Sequence, residues 1–466
     1  MKNRIFYFVF SFMLVLAGLS SCKKSGKTGE IRLITLDPGH FHAALVQKIS
    51  YPQVSNEVYV YAPKGDDLQE HLKLIDAYNS RHDSPTQWKE VVYTGSDFLE
   101  KMLKDKKGNL MVTAGNNRNK TESILKTLQA GINVLADKPM AIVPEDFDLL
   151  KSCFEVAKEK NILLYDIMTE RYEITNQLQR ELSMQPEIFG RLEDGTPENP
   201  AVENESVHYF FKSVSNTPLT RPGWFFDVDQ QGEGIVDVTT HLVDLIQWEC
   251  FPEQIVDYTK DIELVQAKHW TTSLSLSQFK QVTGLDNYPD YLKKDIVNDT
   301  LKVYSNGEII YRIKGVCAKT SVSWNYVDST GGGDTYYSIM RGTKALLVIR
   351  QGIEQNYNPV LYVEIPESAD LKKATDSLEK NFPNVAKKYP GIGLKKISDR
   401  TWEVFVPQKY NDGHEAHFGK VMDNFLQYLN GKKLPDWEVP NMIAKYYITT
   451  QALKIAKSTG NSMGTK

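Results

Sequence analysis

From Glu30 to about Thr169, short apolar runs alternate with helix-compatible stretches, and no other feature constrains the fold of this chain as strongly. The runs are Ile31–Leu36, Glu57–Tyr61, Val91–Tyr93, Asn109–Thr113, Asn133–Ala136 and Ile162–Tyr165. Between them lie Ala43–Val46 as a helix start, a polar helix, a helix from Ser96 through Leu103, and one opened by Thr121 with Ile124, Leu125 and Leu128 inward and Gly131 as its stop. A further helix runs from Pro144 to about Lys158. Strands and helices of these lengths in alternation predict an α/β domain with a doubly wound parallel sheet. Such sheets bind ligands at the carboxyl ends of their strands.

Three stretches fall at that edge. Asp37-Pro38-Gly39-His40-Phe41-His42 follows the first strand, where a dinucleotide-binding chain carries G-x-G-x-x-G. Only Gly39 survives of that pattern, with Asp37 and His42 at the outer glycine positions. A carboxylate about 4 Å from a diphosphate charge costs about 1 kcal/mol in water-like surroundings and several at lower effective dielectric. Either the diphosphate sits further from Asp37, or His40 and His42 offset the charge, or no dinucleotide binds. Two histidines at i and i+2 also suggest a metal, but no further ligand follows nearby and none is expected. After the second strand, Lys64 suits a 2′-phosphate and Asp66 and Asp67 suit a ribose hydroxyl, so NAD and NADP stay open. Asp137-Lys138-Pro139 fixes a lysine where the fifth strand ends; taken alone it reads as a surface turn with a solvated lysine.

The chain changes character at Glu170. Strands are expected at Ile262–Val265, Leu301–Tyr304, Glu308–Tyr311 and Ala345–Ile349, with Ser305-Asn306-Gly307 as a tight hairpin turn. Glu193–Glu205 reads as an inserted loop and Asp370–Tyr389 as an added helix. Val421, Phe425, Leu426 and Leu429 lie at helical spacing, followed by an apolar stretch from Met442 to Ile455. His414 and His417, three apart, read as solvated or packing residues. In Gly232-Glu233-Gly234-Ile235-Val236-Asp237-Val238-Thr239-Thr240-His241, a helix would put Asp237 and His241 at i and i+4 on one face. An imidazole exchanges a proton near neutral pH, and a carboxylate on the same face orients it. Residues 30–169 are thus expected to form one domain. Residues 170–466 form a second, α+β, with a mostly antiparallel open sheet closed by the C-terminal helices.

The N-terminus carries an address. Lys2 and Arg4 precede an apolar run from Ile5 to Leu19, too short for a lasting span, and Leu19-Ser20-Ser21-Cys22 resembles the lipobox of bacterial lipoproteins. Residues 1–22 would be a signal, Cys22 the lipidated end and 23–29 a polar tether, which places the protein outside the cytoplasm, facing the periplasm. Cys153, Cys250 and Cys317 are three and cannot all pair, so they read as buried apolar residues. The net charge of −4 over 466 residues, without a block of like charge, argues against nucleic acid.

Thr113-Ala114-Gly115-Asn116-Asn117, a helix, Ala130-Gly131-Ile132-Asn133-Val134 and then Asp137-Lys138-Pro139 resembles the central segment of the Gfo/Idh/MocA oxidoreductases. In that family a Thr-Pro-Asn-like turn borders the nicotinamide and a Glu-Lys-Pro segment supplies a catalytic lysine. This chain has Ala-Gly-Asn in the turn and Asp137 for the glutamate. Asp237 and His241 follow in the order of the family's Asp-x-x-x-His motif. The resemblance implies a sugar or polyol oxidoreductase using NAD or NADP, with His241 taking the hydroxyl proton, Lys138 polarising the oxygen and Asp237 positioning the histidine. Asp37, Gly39, His40, Phe41, His42, Asn116, Asn117, Asp137 and Lys138 would border the cofactor. Outside the cytoplasm no ready supply of free nicotinamide is at hand, so the cofactor is expected to be tightly bound. Two other readings remain beside it: a redox-neutral glycosidase that oxidises, eliminates, hydrates and reduces, and a sugar-binding lipoprotein without a dinucleotide. The open face of the second domain is the surface a homo-oligomer would use, as in relatives.

Overall fold

The computed structural model describes residues 31–214, 217–329 and 331–463; the expected signal, Cys22 and tether lie outside them. Six parallel strands form the first sheet: β1 (Leu33–Leu36), β2 (Glu57–Ala62), β3 (Lys89–Thr94), β4 (Leu110–Thr113), β5 (Asn133–Asp137) and β6 (Leu164–Ile167). Their order is β3-β2-β1-β4-β5-β6, so the winding reverses between β1 and β4 and opens the crevice in which such sheets bind ligands. Every residue of β1, β4 and β6 is buried, as continuous apolar strands require when helices cover both faces. The crossovers are α1 (His42–Leu45), α2 (Asp66–Asn79), α3 (Phe98–Asp105), α4 (Lys120–Gln129) and α5 (Asp146–Glu159). The doubly wound sheet expected from the alternation is therefore present. One crossover is unusual in length, since α1 has only four residues.

The second sheet runs in the order 262–275, 300–313, 316–325, 202–209, 335–341, 346–351, 360–364, 401–405 and 393–396. All its pairings are antiparallel except that of β7 (Val202–Tyr209) with 316–325. Helices Ile174–Ser183 and Thr239–Cys250 pack on it. β7 takes the end of the expected loop, because its polar residues find partners in the sheet: Lys319 pairs with Glu203 at 2.8 Å, and the buried Asn204 amide reaches the Leu242 carbonyl. The added helix spans Leu371–Ala386.

The expected hairpin at Ser305–Gly307 is absent; Thr300–Ile313 is one strand through it. Asn306 spends its amide on the Trp270 carbonyl and the Thr272 hydroxyl, and its oxygen accepts from the Trp324 N–H, all across the sheet. Gly307 is needed for close approach instead. A Cβ there would lie 2.5 Å from the Cβ of Ile235, and one on Gly234 would lie 1.8 Å from the Ser305 carbonyl oxygen.

The last two helices, His414–Leu429 and Glu438–Met463, turn back onto the first sheet. Phe418, Val421, Met422, Phe425, Leu426, Met442 and Tyr446 join its core. No described helix is long and apolar enough to cross a membrane.

Candidate active site

The carboxyl edge of the first sheet carries the expected residues together. β1 ends in Asp37, which takes a positive φ of 47° and lets the chain fold back so that the Gly39 N–H donates to the Asp37 carbonyl. The His40 N–H donates to the Ala114 carbonyl in the loop after β4. A Cβ on Gly115 would lie 2.3 Å from the Asp37 carbonyl oxygen, so the two loops lock only because Gly115 is bare. β5 delivers Asp137 inward and Lys138 upward, and Lys138-Pro139 is a cis peptide. Phe41, at this edge, is partly exposed.

Lys138 is not the solvated lysine that its tripeptide suggests. Its ammonium donates to Asp237 Oδ1 at 2.6 Å, and the two side chains are only 11% and 8% exposed. Gln231 donates to the other oxygen of Asp237 at 3.1 Å. Burial works against a charged Asp237, but the Lys138 ammonium and these hydrogen bonds outweigh it and hold the carboxyl below its usual range. Asp237 thus orients Lys138, whereas the sequence reading had it orient His241. The regular helix begins at Thr239, with Asp237 in the turn before it: the Thr240 N–H donates to the Asp237 carbonyl and the His241 N–H to that of Val238, and both Asp237 oxygens are taken by Lys138 and Gln231.

His241 lies by the same lysine. Burial, then the Lys138 ammonium, lowers its pKa to about 4, so the ring is neutral at pH 7, and its buried Nδ1 has no hydrogen-bond partner. His42 Nδ1 lies 3.0 Å from Asp137 Oδ2, and His40 Nδ1 3.7 Å from the same oxygen. Burial pushes both imidazoles well below the ordinary histidine value. Behind them the buried Lys120 ammonium donates to the Asp137 carbonyl, with its pKa lowered to about 8 by burial.

Sequence reasoning missed three members of this group. His414, read as solvated or packing, packs on Phe418, pairs with Glu170 at 3.4 Å and brings its ring within 6.1 Å of the His42 ring. Burial opposes charge on both, yet their pairing takes Glu170 down to about 2 and His414 up. His417 lies behind, 3.3 Å from Asp412. No local motif marks them, because helix 414–429 reaches the site only through its packing on the first core.

A nicotinamide dinucleotide would lie along this edge of the sheet. At the nicotinamide end the polar groups suit it: the Lys138 ammonium stands at one side, and His241 lies by it with one ring nitrogen unpartnered. At the diphosphate end the Trp224 ring covers Gly39. A Cβ on Gly39 would lie 3.0 Å from it, and the Trp224 indole N–H donates to Asp67 at 2.8 Å. The indole stands in the place of a diphosphate, which would have to displace it. Asp37 is the smaller obstacle, since burial, then Asp67, raises it to about 6. Taking up a proton at pH 7 costs such a group about 1.4 kcal/mol. Asn116 and Asn117 are bound to the second domain: the Asn116 amide to Gln230 Oε1 at 2.7 Å and the Asn117 amide to the Gln231 carbonyl at 2.8 Å.

Comparison with known proteins gives matches over most of the chain. Residues 57–165 match the family described as "Oxidoreductase family, NAD-binding Rossmann fold", and 178–457 match "Putative oxidoreductase C terminal domain". A crystal structure described as a "putative oxidoreductase" from Parabacteroides merdae is 63% identical, with 93% of this chain and 99% of that chain covered and a TM-score of 0.92. Levoglucosan dehydrogenase, solved with NADH and L-sorbose, is 12% identical over 92% of this chain and 97% of its own, with a TM-score of 0.57. The WlbA dehydrogenase from Bordetella pertussis, solved with NADH and UDP-GlcNAcA, is 14% identical over 92% and 96%, with a TM-score of 0.53. At such identities the last two show the fold. No curated protein sequence matches.

Proposed function

Because the chain belongs to the Gfo/Idh/MocA family of oxidoreductases, whose first domain is an NAD-binding Rossmann fold, we propose that it transfers hydride between a tightly held NAD or NADP and a hydroxyl-bearing carbon of a sugar or polyol. The observation that carries this reading is the Lys138–Asp237 pair at the end of β5, with the neutral, unpartnered nitrogen of His241 beside it. The nicotinamide supplies the hydride acceptor when bound, or the donor in the reverse direction. Gly39, Gly115 and Asn116 would hold it, with Asp67 or Lys64 at its ribose.

The protein's own groups do the rest. The His241 imidazole takes the proton of the substrate hydroxyl, which a ring with a pKa of about 4 does weakly in isolation. Lys138 offsets that weakness, because its ammonium donates to the oxygen as negative charge develops there and lowers the pKa of the hydroxyl itself. Asp237 and Gln231 keep the ammonium aimed. The sugar class is supported by the small bound molecules of the structural neighbours named above. The stretch Leu19–Cys22 supports an extracytoplasmic, lipid-anchored placement.

Denaturing the purified protein and assaying the supernatant for nucleotide tests the reading. Close to one NAD or NADP per chain is expected. No released nucleotide, with no binding of added NAD or NADP, overturns it. Lys138→Ala should retain the nucleotide and lose about 10²–10³ in turnover, the range for removing one donor to a developing oxyanion.

A further inference from the structure

We propose that His40, His42 and Asp137 form a binding site for one divalent transition-metal ion of the zinc class. His40 and His42 have no third ligand near them in the chain, and the sheet supplies one, since Asp137 ends β5 beside the loop after β1. One ligand atom from each residue lies within 4.8 Å of the others. The two measured separations, 3.0 Å and 3.7 Å to Asp137 Oδ2, bracket the about 3.3–3.4 Å at which a tetrahedral ion with bonds of about 2.0–2.1 Å holds its ligands.

A structural hydrogen bond between His42 and Asp137 explains only part of this arrangement. It leaves His40 Nδ1 buried, unpartnered, and aimed at the oxygen that His42 already uses. An ion between them satisfies all three. Supporting contacts fix the ligands as well. The His40 and His42 rings meet edge to face at 4.0 Å, Phe418 packs on His42 at 4.5 Å, and Lys120 pins the Asp137 carbonyl. Of the charges nearby, Lys138 is paired with Asp237 and His414 with Glu170, which leaves the Asp137 carboxylate to face an ion.

Two imidazoles and a carboxylate leave a fourth position open, the pattern of sites at which a metal meets substrate. Binding of the ion does not depend on the redox reading. Its use does: an ion next to Lys138 would acidify a substrate hydroxyl that reaches it.

The full protein, stripped with a chelator and free of added nucleotide, is titrated with Zn²⁺ by calorimetry and with Co²⁺ by absorbance. One ion per chain is expected, with the visible band of four-coordinate Co²⁺. His40→Gln should weaken binding about a hundredfold or more while leaving the melting of the ion-free protein unchanged, because His40 Nδ1 has no protein partner to lose. Asp137→Asn should weaken it likewise. No stoichiometric uptake, or uptake that both variants retain, overturns the site. Neither result touches the nucleotide-release test of the redox reading.

Discussion

At the scale of single residues, the charge state of His241 makes the sharpest statement. An ordinary histidine would stop accepting protons as pH falls through about 6.5. His241 is depressed to about 4, by burial first and Lys138 second, so it stays neutral and able to accept well into the acid range. The acid limb of kcat/KM attributable to this base is therefore expected near pH 4, and a rate profile with that limb near 6.5 would remove His241 from the role. Asp237→Asn keeps the shape of the Lys138 partner and removes its charge. Hydrogen bonds to charged groups contribute about 1.5–3 kcal/mol, so kcat should fall about tenfold to a hundredfold with nucleotide content unchanged. These roles were half legible beforehand. Lys138, Asp237 and His241 were nameable from the resemblance to the family's motifs in their order, but which of them the aspartate serves was not, because that depends on the end of β5 bringing Lys138 against Asp237 from far along the chain.

At the scale of elements, glycine shows why the second domain was harder to read than the first. Six strands separated by helices, three of them wholly buried, leave a period that survives in sequence, and the first sheet was legible from it. Ser305-Asn306-Gly307 has the composition of a turn, yet what decides it is the 232–237 loop pressing on that strand from elsewhere in the chain. Two substitutions separate the reasons for glycine. Gly315 has a φ of 86° and open space around it, so Gly315→Ala should cost about 1 kcal/mol through backbone strain alone. Gly307→Ala forces a methyl against Ile235 and should cost about 1–3 kcal/mol, or more where the loop cannot yield. Urea titration of the two variants checks the order; equal losses would mean that the loop yields freely.

At the scale of the whole molecule, closure of one domain on the other is held by segment 223–231. Besides the Trp224–Asp67 bond, Arg118 pairs with the buried Asp227 at 3.2 Å, and the Gln230 carbonyl accepts from the Asn117 N–H. A second tie lies deeper. Arg171, in the turn after β6, pairs with Asp244 at 2.6 Å and with Glu438 at 3.0 Å, while Lys445 joins Asp244 to Asp166. Removing Arg171 would leave buried carboxylates uncompensated, at about 3–5 kcal/mol, so it belongs to the permanent part of the assembly. The Trp224 contact differs in kind, being one indole and one hydrogen bond over the place where a diphosphate would lie. It can open without breaking a buried charge network. A bound diphosphate would displace the indole, and a nucleotide would be slow to leave where the displaced ring closes back over it from outside. Trp224→Ala is expected to raise the dissociation rate of bound NADH at least tenfold, followed by its fluorescence after mixing with excess NAD, with the Lys138-dependent turnover still present. A dissociation rate unchanged by the substitution would mean that the indole does not gate the cofactor, and that tight binding, if found, arises at the nicotinamide end.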